Sequence, residues 1–127
     1  MNETTRSEIP MTAQFPQTSE GSGSLGLASK MQLHKRFEEE YKKRHDVLWT
    51  DLEAFLISTG ISDYSIFLDE PKNALFGVMK ANNRAALNDL PANPVMKKWW
   101  DYMENIMKSN EDNSPVSIPL KEVFYLP

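Results

Sequence analysis

The 127-residue sequence contains no cysteine, and it has only two histidines. Without thiols it can form neither a disulfide framework nor a thiolate zinc site, and it has no cysteine nucleophile. A zinc site would then need several carboxylates, and the aspartates show no ligand-like spacing. No glycine-rich phosphate loop follows any predicted strand, which argues against a nucleotide cofactor. We therefore expect acid–base chemistry with no metal and no cofactor.

The sequence also lacks an excess of basic residues and a long hydrophobic run. Fourteen basic and eighteen acidic residues give a net charge of −4, which argues against binding to nucleic acid or to an anionic membrane surface. No apolar stretch approaches the roughly 20 residues that cross a bilayer, and the first thirty residues lack the apolar segment of a secretory signal. These absences predict a soluble protein with no nucleic-acid or membrane partner.

Composition divides the chain into a leader and one domain. Residues 1–23 are rich in Thr, Ser, Glu, Pro and Gly and show neither helical nor strand periodicity, which predicts a disordered leader. A partner-binding tail is the alternative, but the leader offers few apolar residues for it, namely Ile9, Met11 and Phe15. Residues 24–127 are expected to form a single domain with one core.

Hydrophobic periodicity within the domain predicts alternating strands and helices. The leucines and Met31 between residues 25 and 33 fall on alternate positions, as in a strand, whereas apolar residues recur every three or four positions over 35–58, as in a helix. The predicted elements are a strand at 25–33, a helix at 35–58, a hairpin of strands at 64–68 and 74–79 with its turn at 69–73, a helical region that begins at Asn82 or Asn83, breaks at Pro91 and restarts at Asn93 and Pro94, and a last strand at 123–126.

The order β, α, β, β, α, β predicts a ferredoxin-like α+β fold. Right-handed crossovers would place both helices on one face of a four-stranded antiparallel sheet. The other face is then bare, although the middle strands carry apolar residues on both faces. We expect a homodimer in which the sheets cover one another.

The first helix carries a run of charge on the side opposite its apolar residues. Glutamates precede basic residues by four positions, in the order that stabilises a helix by about 0.3 kcal/mol a pair. We interpret this run as a solvated face; the pairs are Glu38 with Lys42, Glu39 with Lys43 and Glu40 with Arg44.

His45 is the one histidine on the apolar side of this helix, one turn after Tyr41 and one turn before Trp49. The other histidine, His34, falls at a predicted strand-to-helix junction, where a polar turn residue is ordinary. An inward histidine is either a hydrogen-bonded structural residue or a catalyst, and its position alone leaves both open.

Trp99 and Trp100 are adjacent on the second long helix, so their side chains point about 100° apart and cannot share the centre of one apolar stripe. Either both pack over the core, or one lines a cavity edge. Indole faces suit the C–H faces of a pyranose, whose hydroxyls Tyr, Asp and Asn can bind.

Several spaced motifs resemble the L-rhamnose mutarotase family, over about residues 27–127. The segments that carry the resemblance are Lys30–Leu33, Glu39–His45, Leu48–Trp49 with Leu52–Glu53, Tyr64–Asp69, Trp99–Met103, Asp112–Val116 and Glu122–Pro127. The sequence departs from the family at Thr50, where a proline usually follows the tryptophan, and in its longer leader.

The resemblance implies a dimeric α+β barrel and a cytoplasmic isomerase that interconverts the α and β anomers of L-rhamnose without cofactor or metal. By motif position, His45 matches the proton donor, which we assign as the acid of ring opening, and Tyr41, Tyr64, Trp99 and Trp100 match the substrate-binding residues. The matching base and the range of sugars accepted are not identified. A cofactor-free oxygenase or a non-catalytic ligand-binding module of the same fold is the alternative; the Tyr41-to-His45 spacing and the tryptophan pair favour a sugar.

Overall fold

The computed structural model describes residues 20–21 and 24–127. Most of the predicted leader at 1–23 lies outside the described residues. Its exception is Glu20–Gly21, strand β1, which pairs with Ser24 and Leu25 at the start of the next strand. None of the helices within the described ranges is long and apolar enough to cross a membrane.

One antiparallel sheet organises the domain. Strand β2 lies beside β4, and β4 lies beside β3, while β5 pairs with the other edge of β2. The order β5-β2-β4-β3 is that of a ferredoxin-like α+β fold, as predicted from the element order. The bounds are β2 Ser24–Gln32, β3 Ile61–Asp69, β4 Ala74–Ala81 and β5 Ile118–Pro119.

The predicted hairpin of β3 and β4 is confirmed, with a short 3₁₀ helix at Glu70–Lys72 in its turn. Asn73 closes the turn in the left-handed region at φ 52° and donates a hydrogen bond from Nδ2 to the His34 carbonyl, at 3.2 Å. Strand β3 is longer than predicted and has a bulge between Ser62 and Ser65, where it advances three residues against two of β4. The bulge turns Tyr64 toward the same face of the sheet as Gly77.

The helix predicted at 35–58 is two helices, α1 Glu38–Asp46 and α2 Thr50–Ser58. The break covers residues 47–49: Val47, with a ψ of 44°, ends α1, and Trp49, with an extended ψ of 134°, precedes α2. Neither proline nor glycine marks this break, and the apolar spacing continues through it, so periodicity alone predicted one helix. Thr50 is the first residue of α2, the helical position at which proline is most favourable.

Gly60 follows the second helix at a φ of 90°, the left-handed conformation at which many helices end. The later helical region follows the prediction. Helix α3, Arg84–Asn88, is followed by a 3₁₀ turn at Leu90–Ala92 and by α4, Pro94–Met103. Asn93 caps α4, since its Oδ1 accepts hydrogen bonds from the backbone N–H groups of Val95 at 2.9 Å and Met96 at 3.3 Å.

The strand predicted at 123–126 is wrong. The last strand is β5 at Ile118–Pro119, and the residues from 120 onward belong to no strand. Aromatic and β-branched residues favour a strand only when a neighbouring strand is present to pair with. The apolar side chains of this C-terminal tail are more than half exposed: Val123, Phe124, Tyr125 and Leu126.

The hydrophobic core lies between the helices and one face of the sheet. Its fully buried side chains include Leu75 from β4, Leu33 directly after β2 and Leu52 from α2. The other face of the sheet, which we call the open face, carries Phe67 at 60% exposure and Val78 at 43%.

Candidate active site

A cavity of about 950 Å³ separates the helices from the sheet. Strands β2, β3 and β4 line one side, and helices α1, α2 and α4 line the other. All of the residues that the sequence singled out for the site line this cavity: Tyr41, His45, Tyr64, Trp99 and Trp100.

His45 lies in the last turn of α1 and is wedged between two aromatic side chains. Its ring centroid is 4.3 Å from that of Tyr41 and 5.3 Å from that of Trp99, which it meets edge-on at 87°. His45 Nδ1 is 3.0 Å from the Tyr41 carbonyl oxygen. Because a carbonyl can only accept, we assign the proton of the neutral ring to Nδ1, which leaves Nε2 with a free lone pair.

Burial lowers the pKa of His45 below its usual 6.5. The hydrogen bond to the Tyr41 carbonyl and the charge of Asp46 act in the opposite direction but are the smaller effects. The neutral imidazole therefore predominates at neutral pH, and its Nε2 is a proton acceptor.

The two tyrosines present hydroxyls that stay protonated. Tyr41 is 8% exposed, and burial raises its pKa, with a further contribution from the nearby Tyr64 phenol. Tyr64 as a residue is 46% exposed, but its hydroxyl end is the deeper part, and burial raises its pKa also. Both phenols are hydrogen-bond donors rather than acids that titrate near neutral pH.

Both tryptophans are buried and line the cavity. Each therefore packs over the core and also forms part of the cavity surface. Each is 6% exposed. The indole of Trp99 is in edge contact with His45 and also with Trp49, whose ring centroid lies 5.1 Å away.

Trp49 and Tyr102 belong to the same aromatic cluster, and sequence reasoning did not assign them to the site. Their ring centroids are 5.5 Å apart, and Tyr102 lies 5.7 Å from Trp99. The available signal was spacing: Trp49 follows His45 by one turn, and Tyr102 follows Trp99 by three residues.

The interpretation of the charged face of α1 as solvated is wrong at Arg44. Its side chain is only 11% exposed, and its Nε donates to Glu40 at 2.7 Å, as the predicted pair requires. Its guanidinium also donates to the Tyr102 carbonyl at 2.6 Å and stacks 4.3 Å above the Tyr102 ring. Arg44 thus ties α1 to α4 beside the cavity, whereas Lys42 pairs with Asp46 rather than with Glu38.

Several polar atoms of residues that line the cavity make no hydrogen bond within the part of the chain that the structure describes. They are His45 Nε2, the hydroxyls of Tyr41 and Tyr64, and the indole Nε1 atoms of Trp99 and Trp100. Buried polar groups are almost always paired, so this arrangement fits a polar ligand with apolar faces. Among the described residues, no group of three or more His, Asp or Glu side chains is placed to hold a metal ion.

Comparison with known proteins gives one family. The L-rhamnose mutarotase family model matches residues 27–126. A relative from Formosa agariphila named L-rhamnose mutarotase is 52% identical over 100 residues, covering 79% of this chain and 96% of that protein. One from Brucella anthropi with the same name is 49% identical over 100 residues, covering 79% and 94%.

A solved structure extends the similarity to three dimensions. The crystal structure of L-rhamnose mutarotase from Formosa agariphila has a TM-score of 0.76 to this chain at 51% identity, and the match covers 80% of this chain and 98% of that one. The chain belongs to the L-rhamnose mutarotase family.

Proposed function

We propose that this protein is an L-rhamnose mutarotase, an isomerase of the racemase and epimerase class that interconverts the α and β anomers of L-rhamnose. The observation that carries the proposal is a set of polar atoms that have no hydrogen-bond partner among the described residues, on the ring side chains that line the cavity from α1, β3 and α4: Tyr41, His45, Tyr64, Trp99 and Trp100. A pyranose offers apolar C–H faces to the indoles and hydroxyls to the phenols. No metal or cofactor enters the reaction.

His45 transfers the proton that opens and closes the ring. Ring opening requires that the anomeric O1–H bond and the C1–O5 bond break, that C1 and O1 form a carbonyl, and that O5 gains a proton. Neutral His45 accepts the O1 proton at Nε2, and the Tyr41 carbonyl, 3.0 Å from Nδ1, stabilises the imidazolium that results. After the aldehyde rotates, the imidazolium returns the proton as the ring closes on the other face.

In this mechanism His45 is the base of ring opening, whereas the sequence assignment made it the acid. We prefer the base because the lowered pKa of His45 favours the neutral imidazole. In this proposal His45 is the proton donor only in the closing step. Solvent delivers the O5 proton during opening and takes it back when the ring closes. Burial raises the pKa values of Tyr41 and Tyr64, so both phenols stay protonated throughout. The two phenols instead donate hydrogen bonds to sugar oxygens.

The protein functions as a homodimer in the cytoplasm. Two apolar surfaces support the dimer: the open face, with Phe67 and Val78, and the exposed C-terminal tail at 123–126. A second copy of the sheet would cover the open face and complete the α+β barrel. The cytoplasm is the compartment in which a small sugar-metabolising enzyme of this family is expected.

Saturation transfer between the two anomeric proton signals of L-rhamnose tests the activity. Protein added at micromolar concentration should raise the exchange rate above the buffer rate, and treatment with EDTA should not change it. A panel of other 6-deoxy and ordinary aldoses run under the same conditions measures the specificity. Exchange at the buffer rate for every sugar would exclude the mutarotase and leave the alternatives, a cofactor-free oxygenase or a non-catalytic binding module.

A further inference from the structure

The hairpin at residues 109–117 forms a polar wall of the cavity. Ser109 pairs with Pro115 in an antiparallel bridge, which closes the segment into a hairpin. Residues 112–116 are one of the motifs that resemble the family, and neither the His45 chemistry nor the aromatic cluster uses them. We call the residues of this segment that line the cavity the loop wall: Asp112, Asn113, Ser114, Pro115 and Ser117.

Hydrogen bonds within the hairpin hold the carboxylate of Asp112 in place. Its Oδ1 accepts from the backbone N–H of Ser114 at 3.0 Å and from the Ser114 hydroxyl at 2.5 Å. The Ser114 hydroxyl in turn accepts from Asn110 Nδ2 at 3.0 Å. The second carboxylate oxygen, Oδ2, makes no hydrogen bond or ion pair within the described part of the chain. Asp112 therefore has one fixed acceptor oxygen that is free to bind a ligand.

Asn113 joins the tip of the hairpin to the helix that carries the tryptophan pair. Its Nδ2 donates to Asp101 Oδ1 at 2.9 Å, and Asp101 directly follows Trp100 on α4. Its backbone is left-handed, with a φ of 72°, a conformation that asparagine adopts more readily than most residues. The contact places Asp112 at the Trp100 end of the cavity.

Ser117 is the buried polar residue of the loop wall. It is 9% exposed and lines the cavity, yet its Oγ has no hydrogen-bond partner among the residues that the structure describes. A buried hydroxyl without a partner costs stability. Its position therefore fits a polar ligand better than it fits folding alone.

The polar atoms assigned to the sugar so far include more donors than acceptors. The two indole N–H groups can only donate, and the two phenols keep their protons, whereas His45 Nε2 accepts the anomeric proton. The hydroxyls at C2, C3 and C4 of L-rhamnose each have a proton to donate as well. A carboxylate oxygen only accepts, and its hydrogen bonds are among the strongest in proteins. A free carboxylate oxygen beside the tryptophans supplies the acceptor that the site otherwise lacks.

We propose that Asp112 determines sugar specificity, because its Oδ2 accepts a hydrogen bond from a ring hydroxyl other than the anomeric one. Ser117 Oγ binds a further sugar oxygen in the buried part of the loop wall. The inference rests on the proposed function, since His45 must meet the anomeric end of the sugar for the loop wall to meet the others. The ligand class is a neutral aldopyranose whose hydroxyl configuration matches this acceptor.

Asp112→Asn tests the carboxylate while it preserves the hairpin. The amide oxygen still accepts from Ser114, so the melting temperature should stay at the wild-type value, but an NH₂ group replaces Oδ2 and cannot accept. The KM for L-rhamnose and its Kd from calorimetry should both rise about 10-fold or more, with kcat within about twofold. If Asp112 only holds the hairpin, the asparagine will keep KM and Kd at the wild-type values.

Glu111→Gln is the matched control. Glu111 is the exposed neighbour of Asp112 and does not line the cavity, so its substitution removes the same charge from the same hairpin. KM and Kd should not change. An increase as large as that of Asp112→Asn would mean that the charge of the hairpin matters rather than a contact, and would contradict the proposal.

Monodeoxy analogues of L-rhamnose identify the hydroxyl that Asp112 contacts. Among the 2-, 3- and 4-deoxy sugars, the one that lacks this hydroxyl should bind the wild type about 10-fold more weakly than L-rhamnose does. The same analogue should lose less than about twofold more in Asp112→Asn, because the bond is already absent. Equal further losses for L-rhamnose and all three analogues would contradict a direct hydrogen bond.

Ser117→Ala tests the buried end of the loop wall. Loss of an unpaired hydroxyl should keep or raise the melting temperature of the sugar-free protein, whereas the Kd for L-rhamnose should rise several-fold. A lower melting temperature with an unchanged Kd would show that Ser117 supports the fold and would remove it from the subsite.

The outcomes separate this inference from the proposed function. If the wild type exchanges and binds L-rhamnose but Asp112→Asn matches it, the subsite is wrong and the mutarotase stands. If the wild type neither exchanges nor binds any sugar, both proposals fail. Weaker binding in Asp112→Asn at an unchanged melting temperature, with Glu111→Gln at the wild-type values, is the result expected.

Discussion

The two faces of the sheet depart from ordinary burial in opposite ways. The face under the helices buries the Ser29 hydroxyl, which has no hydrogen-bond partner among the described residues, and faces the half-buried imidazole of His45 across the cavity. The open face exposes large apolar side chains, Phe67 and Val78 among them. Both arrangements are unfavourable for an isolated chain in water.

The two faces therefore lack two different kinds of partner. Unpaired donors and acceptors inside a cavity are satisfied by a small polar ligand, whereas a flat apolar surface is satisfied by another macromolecular surface. Substitutions on one face should therefore change catalysis without changing assembly, and substitutions on the other should act first on assembly.

The largest expected effect is that of His45→Ala on catalysis. Loss of the proton-transfer group should lower kcat by about 10²-fold or more, with the fold and the oligomeric state retained. Anomer exchange measured by NMR gives the loss of kcat, and circular dichroism and sedimentation check that the fold and the oligomeric state are retained. If His45 is only a core residue, a folded His45→Ala protein will keep wild-type activity.

The pH dependence of the wild type tests the direction of proton transfer. A base in ring opening must be neutral, so kcat should rise as the pH increases through the lowered pKa of His45 and then level off near neutral pH. A rate that instead falls with rising pH over this range would restore His45 as the acid of ring opening.

Tyr41→Phe is the companion variant, since loss of one hydroxyl should reduce activity with little loss of stability.

The next prediction concerns assembly through the open face. Phe67→Glu places a charge where a second sheet would pack, so sedimentation at micromolar concentration should change from dimer to folded monomer. Val47→Glu is the matched control: Val47 is 70% exposed but lies at the end of α1, away from this face. A wild type that sediments as a well-folded monomer would contradict the barrel dimer and leave the fold assignment unaffected.

Local signals predicted those parts of the fold that depend on neighbouring residues in the chain. The Asn93 cap, the proline that follows it and the apolar spacing of α4 placed Trp99 and Trp100 correctly on a buried surface. The one-turn spacing of Tyr41 and His45 likewise predicted their contact. These features are visible in sequence because helical geometry alone brings such residues together.

Features that depend on distant parts of the chain could not be predicted. The bulge that turns Tyr64 over Gly77 is set by pairing with β4, and the burial of Arg44 is set by Tyr102, 58 residues later. The predicted strand at 123–126 was wrong because composition does not report whether a pairing edge exists.

A smaller effect is expected from the loss of the Arg44 side chain, which joins α1 to α4 beside the cavity. Arg44→Met keeps the length of the side chain but removes the hydrogen bond to the Tyr102 carbonyl and the cation above its ring. The free energy of unfolding should fall by about 1–3 kcal/mol. Chemical denaturation measures this, and Lys43→Met, which removes one charge from an exposed neighbour on the same helix, should be within about 0.5 kcal/mol of wild type.

The smallest expected effect is a pH dependence of stability that His45 contributes. Its pKa is lower in the folded protein than in the unfolded chain, so the unfolded chain binds more protons as the pH falls below about 6.5. Stability should therefore be lost from that pH down to the folded pKa, with no contribution from His45 above it. His45→Asn cannot titrate, so the difference between its unfolding curve and that of wild type isolates the effect from those of the carboxylates. Adding L-rhamnose should enlarge the difference, since a sugar that contacts neutral Nε2 binds the folded protein alone. Parallel pH curves for wild type and His45→Asn would mean that burial does not lower the pKa of this imidazole, and the choice of His45 as the base of ring opening would lose its physical ground.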